Sequence, residues 1–383
     1  MFGAGNVGRG FVGQLFSESG YEVTFVDIDL PLLDALNARH AYTIRLVDND
    51  LSQEVRVGPV RALHADDREA VVEAVSRAEM MATAVGARAL AFVAPNIAAG
   101  VQRRMDAGVE TPLNCIVCEN LKGAAEVLRD MVETHLDPAA RAYLEAHVGF
   151  VDTVIGRMVP PLTPEMREQD PSLIVVEPYK ELPVDRRGFA GPIPAIQSME
   201  AHDRFEVFTA RKLYVHNCGH AVLAYLGYLA GHTYGYEALA DPQIDATLQA
   251  AWDESIAGQV ARYGVEASWL RAHARDLQRR FANRALGDTV FRLGRDPVRK
   301  LAPADRLVAP ARLAEAAGVP PRALAEVIAA ALCFDPPEDP VAVELQVRLA
   351  EKGVDAVLAE VCQIQRTEPL AASIRARYAA LRP

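Results

Sequence analysis

Residues Gly3-Ala4-Gly5-Asn6-Val7-Gly8 fit the pattern G-x-G-x-x-G, a spacing suited to holding a pyrophosphate. Gly3 permits a tight turn, Gly5 lets the backbone approach the phosphates, and Gly8 allows close packing of a following helix on a sheet. The N-terminus of that helix supplies amide hydrogens and a positive dipole to the anion. The pattern alone is weak, because Gly-rich loops produce it by chance. Its context is stronger: a helical stretch follows, then the strand-like Tyr21-Glu22-Val23-Thr24-Phe25-Val26, which ends in Asp27. An acid about twenty residues beyond the glycines is placed to hold ribose hydroxyls, and its charge favours NAD by repelling the 2′-phosphate of NADP. One feature does not fit. Only Met1 and Phe2 precede Gly3, roughly three to five apolar residues short of a usual central strand. Either the start lies upstream or the sheet lacks part of that strand, and the first is expected.

Two other groupings suggest chemistry and are set aside. His216, Cys218 and His220 resemble metal ligands, and His residues at i and i+4 share a helical face. However, no Glu follows His216 and no third ligand is apparent, so no metal is expected. Cys115 and Cys118 form C-x-x-C, but on a buried strand their side chains point to opposite faces, against a redox pair. No Tyr-x-x-x-Lys occurs, which excludes the short-chain dehydrogenase mechanism.

The elements that must position this chemistry fall into two textures. With 383 residues, two domains are expected. Before about residue 190, short apolar runs alternate with helical patterns, as in βαβ units. Strands are predicted at Glu22–Val26, Met80–Thr83, Leu113–Cys118 and Val148–Val154, with further β-type runs at Ser172–Glu177 and Glu181–Val184. Helices are predicted at Phe11–Ser19, Pro31–Arg39, Ala87–Ala107 and Ala124–Thr134. The segment Arg187–Pro194, with two glycines and two prolines, reads as a linker. From about Ala195 strand-like runs vanish, and helical patterns dominate at Leu213–Ala230, Ala246–Tyr263, Ala267–Arg280, Arg322–Leu332 and Ala342–Lys352. The fold class expected is α/β: an N-terminal Rossmann-type dinucleotide-binding domain (1–190) and an all-helical C-terminal domain (191–383).

Bulk composition narrows the partners. A formal charge of -11 argues against nucleic acid, which is held by clustered Lys and Arg. A small phosphorylated substrate needs only a local basic pocket. Five cysteines need no disulfide framework in a chain of this size and suit a reducing compartment. No apolar run is long enough for a membrane span, and glycines with Arg9 stand where a signal peptide needs an unbroken apolar stretch. A cytoplasmic enzyme is expected.

Arg211-Lys212-Leu213-Tyr214-Val215-His216-Asn217-Cys218-Gly219-His220 opens the helical half, with Lys212, Asn217 and His220 spaced K-x4-N-x2-H. Together with Phe2–Phe11, Thr83-Ala84-Val85-Gly86, Cys118-Glu119-Asn120, Val148–Asp152, Ala230-Gly231-His232, Arg299-Lys300-Leu301 and Asp305-Arg306-Leu307, this spacing resembles the polyol-specific long-chain dehydrogenases nearly end to end. The resemblance is greatest to members acting on mannitol 1-phosphate. It implies a metal-independent, NAD-dependent interconversion of D-mannitol 1-phosphate and D-fructose 6-phosphate, in a protein that is often a monomer.

The resemblance also implies roles. Lys212 would be the general base, which requires its ammonium pKa to fall toward working pH, as burial would achieve. Asn217, with Asn120 reaching over from the first domain, would donate to the developing alkoxide. His220 would orient a substrate hydroxyl. On a helix these residues would fan across a broad arc, able to face an interdomain cleft. The cofactor set is Gly3, Gly5, Asn6, Gly8, Asp27 and Val85. Asn120 also reads as an N-cap for the segment after it, and the two roles are compatible.

Arg292 and Lys300, with Arg295 and Asp152, are the implied substrate contacts. Arg295, Arg299 and Arg306 are candidates for the phosphate, since Arg forks suit phosphate oxygens. The plain alternative for each is a solvated surface charge. Asp152 and Arg157 would line the cleft or brace it. Alternatives of function are an unphosphorylated polyol or a hexuronate as substrate, or an NAD-binding protein without turnover.

Overall fold

Short β-branched runs that end at polar turns, and helices entered through Asp and Pro, set the architecture of the first half. A computed structural model describes residues 1–49, 51–160 and 162–381. The chain divides into two compact units, Met1–Phe205 and Glu206–Pro383.

The first unit carries strands β1 (Val23–Asp27), β2 (Tyr42–Asp48), β3 (Leu51–Val57), β4 (Val60–His64), β5 (Met80–Thr83), β6 (Leu113–Val117), β7 (Val148–Asp152), β8 (Ile174–Val176), β9 (Leu182–Asp185) and β10 (Met199–His202). β1 pairs in parallel with β4, and β5, β6 and β7 form a parallel set. Phe2 bridges both groups through Val26 and Thr83, so Met1–Gly3 forms the sheet centre. Gly3 N donates to Val26 O at 2.8 Å, and Phe2 N donates to Ala82 O at 2.8 Å. The glycine turn thus leaves the carboxyl end of the central strand, the position ligands take in doubly wound sheets.

Every residue of β6 is buried, as expected of a parallel strand covered on both faces. Cys115 belongs to the core that includes Leu90 and Ile97, and Cys118 to the one around Phe11 and Phe25. The two thiols therefore face opposite layers, as their spacing predicts. All five cysteines are buried and no disulfide joins them. Helices start at side-chain caps: Asp29 accepts from Leu32 N, Asp67 from Ala70 N, and Asp137 from Ala140 N.

The structure departs from the sequence reading in several places, among them the helices Arg68–Arg77 and Pro138–His147, for which no helix was read. Residues 40–64, left unassigned, hold β2, β3 and β4; β2 pairs antiparallel with β3 and parallel with β8. Exposure of β3 explains the omission, because Leu51–Glu54 face solvent and show no apolar alternation. The strand-like texture also persists past residue 195, since β10 pairs with β9. Finally, Ala342–Lys352 lies within a longer element, Pro340–Val361, interrupted where Gly353 adopts φ 79°.

In the second unit every regular element among the described residues is helical. Its centre is Cys218–Leu229, in which Ala221, Val222, Ala224 and Tyr225 are fully buried. Around it pack Gly235–Ala240, Pro242–Tyr263, Val290–Gly294 and Arg322–Leu332. A helix apolar nearly all round belongs in such a core. Among the described residues no helix is long and apolar enough to cross a membrane.

The helix Arg322–Leu332 opens after Pro321, which has no side-chain acceptor to cap it. Glu254, on the helix Pro242–Tyr263, supplies the cap by accepting from Ala323 N at 2.8 Å and Leu324 N at 2.9 Å. Glu254→Ala is expected to cost about 1–2 kcal/mol by orphaning those amides. Urea unfolding measures the cost, and Glu254→Gln should recover part of it.

Candidate active site

Gly3 adopts φ 90°, and a β-carbon there would lie 2.4 Å from Ala84 O. A β-carbon on Gly8 would lie 2.0 Å from Gly3 O, so the helix over residues 6–18 is pressed against the turn that precedes it. Gly5 differs: a β-carbon there would meet nothing within 4 Å, which leaves the turn open where phosphates would approach. Gly13 N reaches back to Gly8 O, five residues, and Gly8–Val12 is a π-helical stretch. Asn6 is exposed at the start of this helix. Asp27 ends β1 and ties the turn to it: its Oδ2 accepts from Ala4 N at 2.6 Å and its Oδ1 from Ile28 N at 2.7 Å. A carboxylate has about four lone-pair positions, so Asp27 keeps capacity for a ribose hydroxyl. A close-packed turn, an open face and a helix start fit a dinucleotide pyrophosphate.

Sequence reasoning missed two residues that shape this turn. Arg9 is 5% exposed; its Nε donates to Ala4 O and its guanidinium also reaches Ser172 O and Leu173 O. Burial holds its pKa below the usual arginine value, with Tyr42 opposing. The signal was an arginine in the first helical turn after Gly8, where the helix must pack on the sheet. Glu119 is the other. Its carboxylate accepts from Val85 N at 2.9 Å and Gly86 N at 2.8 Å, which fixes the loop after β5 beside the glycine turn.

Asn120 lies just beyond β6 and is exposed. The capping role considered for it falls to others: the helix Ala124–Glu133 follows Gly123, and Asp152 Oδ1 accepts from Ala125 N at 3.0 Å. Asp152 ends β7, and burial raises its pKa. Arg157 braces the core, donating to Glu177 O, Gly10 O and Gln14 Oε1.

Lys212, Asn217 and His220 do not sit on one regular α-helix. Lys212–Asn217 is π-helical, followed by Cys218–Leu229, and Cys218 N reaches back to Leu213 O. The widened turn frees carbonyls, which the neighbouring helix satisfies. Trp252 Nε1 donates to Val215 O at 2.8 Å, and Ser255 Oγ donates to Tyr214 O at 2.7 Å. Inserted turns of this kind recur at functional sites because they re-aim side chains. Lys212 is half-buried and Asn217 is buried. The His220 ring packs 4.4 Å from that of Phe281 and 4.9 Å from that of His216. Its Nε2 is sealed from solvent with no hydrogen-bond partner, as are both ring nitrogens of His216. Burial, then the charge of Lys212, push both imidazoles well below their usual pKa; Arg292 and Arg306 add to this for His220. Both rings are neutral at physiological pH.

Of the basic residues read from the sequence, Arg292 and Arg306 act on His220 through their charge. Arg292 is paired with Asp288. Arg299 Nε donates to Asp296 at 2.9 Å, and Arg306 Nε to Asp305 at 2.7 Å. Lys300 is 4% exposed and donates to Arg295 O. Burial, reinforced by Arg306 and Arg299, lowers its pKa to about 7. Arg295 is itself exposed. Among the described residues no group of three His, Cys, Asp or Glu side chains is arranged to hold a metal ion.

Glu119→Ala leaves two amides without their acceptor and releases the loop at Gly86. Dinucleotide affinity, read by tryptophan quenching or calorimetry, is expected to fall about tenfold or more, while Glu119→Gln, which keeps one acceptor oxygen, should fall less.

The comparisons agree with these two halves. The family described as the mannitol dehydrogenase Rossmann domain matches residues 1–198, and the mannitol dehydrogenase C-terminal domain matches residues 204–382. Pseudomonas fluorescens mannitol 2-dehydrogenase, solved as a ternary complex with NAD and D-mannitol, is 18% identical, with a TM-score of 0.77 over 100% of this chain and 91% of that one. A D-sorbitol dehydrogenase in substrate-free form is 16% identical, with a TM-score of 0.81 over 100% and 92%. At such identities the likeness is one of fold. With a Rossmann-type first unit and a helical second unit each matched along nearly its whole length, the chain belongs to the mannitol dehydrogenase family, whose members are polyol oxidoreductases.

Proposed function

We propose that this protein interconverts D-mannitol 1-phosphate and D-fructose 6-phosphate with NAD, by hydride transfer and without a metal. The observation that carries the reading is the widened turn Lys212–Asn217 and, in the helix that follows it, His220, whose buried Nε2 has no partner and lies within the field of Lys212. A buried polar atom left unsatisfied costs about 1–3 kcal/mol, and a substrate hydroxyl would repay it.

NAD, when bound, supplies the hydride acceptor. Lys212 Nζ takes the proton of the reacting hydroxyl as its carbon loses hydride, and the carbon–oxygen bond becomes a carbonyl. Asn217 and Asn120 donate to the oxygen while it carries negative charge. His220, neutral, offers Nε2 to a neighbouring hydroxyl. Gly3, Gly5, Asn6, Gly8, Val85 and Asp27 hold the dinucleotide, and the carboxylate of Asp27 favours NAD over its 2′-phosphorylated form. Arg292, Lys300, Arg295 and Asp152 hold the substrate chain and its phosphate. Supporting a phosphorylated substrate is the concentration of positive charge: Lys212, Arg292, Arg306 and Arg280 all act on His220.

A second reading keeps the chemistry and changes the substrate to an unphosphorylated polyol. It is favoured by the carboxylates that already engage Arg292, Arg299 and Arg306. Steady-state rates of NADH formation with mannitol 1-phosphate and with mannitol separate the two. The expected result is a kcat/KM at least about 100-fold higher for the phosphate, from roughly 3 kcal/mol of charge-assisted contact. A preference for mannitol defeats the substrate assignment.

Lys212→Ala should lower kcat by about 10²–10⁴ with NADH affinity kept; near-normal rates would remove Lys212 as base. For Lys300 the sign follows from burial. Its cation is present below about pH 7 and is lost above it, so KM should rise with pH from about 7 upward. In Lys300→Gln that rise should disappear and leave a uniformly high KM.

A further inference from the structure

The helix Ala267–Phe281 buries Leu270, Ala274, Leu277 and Phe281, whose spacing keeps them on one helical face. Its last residue, Phe281, stands against the segment that carries His216 and His220. The Phe281 ring lies 4.4 Å from that of His220, tilted by 34°. His216 meets His220 edge-on at 4.9 Å and 68°, and meets Phe281 at 5.8 Å and 71°. Each of the three rings thus touches the other two, at separations close to the roughly 4.5–7 Å of favourable ring contact.

A glycine makes room for this cluster. A β-carbon on Gly219 would lie 2.9 Å from Phe281 Cε2 and 2.8 Å from Trp252 Cζ2. Glycine is a poor helix former, yet it stands in the first turn of Cys218–Leu229. Trp252 is tethered, because its Nε1 donates to Val215 O at 2.8 Å. A methyl group at position 219 would therefore press Phe281 away from its place on His220.

The grip on His220 is aromatic. Its Nε2, and both ring nitrogens of His216, are buried and have no hydrogen-bond partner among the described residues. A functional imidazole is commonly aimed by a hydrogen bond to one of its nitrogens. Here packing against the rings does the aiming, and Nε2 is not consumed by it. Burial keeps both imidazoles neutral, so the cluster holds no charge in need of a counter-ion.

On the reading that His220 orients a substrate hydroxyl, on which this step rests, we infer that Phe281 is a positioning residue. Admitted by the bare Gly219 and flanked by His216, it sets the plane of the His220 ring and hence the direction of the hydrogen bond that ring offers.

A double-mutant cycle on NADH formation, run with mannitol 1-phosphate and with mannitol, tests this by combining Phe281→Leu with His220→Ala. Phe281→Leu alone is expected to lower kcat/KM about tenfold, mainly through KM, with NADH affinity kept. In the His220→Ala background the same change should cost less than about twofold, because the ring it aims is gone. Equal losses in the two backgrounds overturn the proposal and leave Phe281 a packing residue; so does a Phe281→Leu enzyme with unchanged kcat/KM. If His220→Ala itself runs at full rate, the reading of His220 fails and this inference with it. A large His220→Ala loss beside equal Phe281→Leu losses removes the inference alone. Gly219→Ala, which displaces Phe281 from the side of the helix, should repeat the pattern and decides the matter if Phe281→Leu does not fold. In protein with isotope-labelled histidine, the His220 ring protons should shift in either variant as the Phe281 ring current is lost. Unmoved signals would overturn the proposal.

Discussion

The carbonyl of Gly3 occupies the space that a β-carbon on Gly8 would need, and much of the first unit is arranged around that contact. Pressing the helix over residues 6–18 onto its own turn brings the helix start to the end of the central strand. Arg9, the first side chain after Gly8, is thereby forced inward, where it would be an unpaired buried charge. Instead it is used: its guanidinium ties the glycine turn at Ala4 to the Ser172–Leu173 backbone. Asp27, at the end of β1, holds the turn at Ala4 N, and Glu119, just beyond β6, fixes the Val85–Gly86 loop beside it, each through backbone amides. The glycine turn is thus held by side chains around it that are already satisfied, and its face at Gly5 stays open.

The second unit meets a related problem by another route. A regular α-helix through Lys212 and His220 would give each carbonyl an amide four residues on. Here the helix is widened, and Trp252 and Ser255 take up the carbonyls of Val215 and Tyr214. The distortion is fixed by neighbours rather than by the segment's own sequence, and it turns two imidazoles into a dry, cation-flanked interior. Desolvation keeps those rings neutral, while Asp288, Asp296 and Asp305 give Arg292, Arg299 and Arg306 counter-charges.

How much of this was legible varied with whether the cause was local. G-x-G-x-x-G, the acid at Asp27, the apolar run of β6 and the opposite facing of Cys115 and Cys118 are all consequences of short-range spacing. β2, β3 and β4 were not read, because β3 is half exposed and carries charges where a buried strand would carry valines. Arg9 and Glu119 escaped because their partners are distant in sequence; Glu119 binds amides 33 and 34 residues away. The widened turn at Lys212 escaped because its stabilising donors lie on another helix. Asn120 was weighed as a cap from its place before a helix, yet that task belongs to Asp152, which only the packing of β7 brings near.

The five sulfur atoms have a practical meaning. Each is buried, and for Cys115, Cys218 and Cys362 burial drives the pKa up to about 12, with Cys118 higher still than its usual value for the same cause. Thiolate is the reactive species, so alkylating or oxidising agents find almost nothing to attack while the molecule stays folded. Labelling would then proceed only through opening, and because Cys115 and Cys118 sit in one unit and Cys218, Cys333 and Cys362 in the other, the order in which they become modified would report which half loosens first.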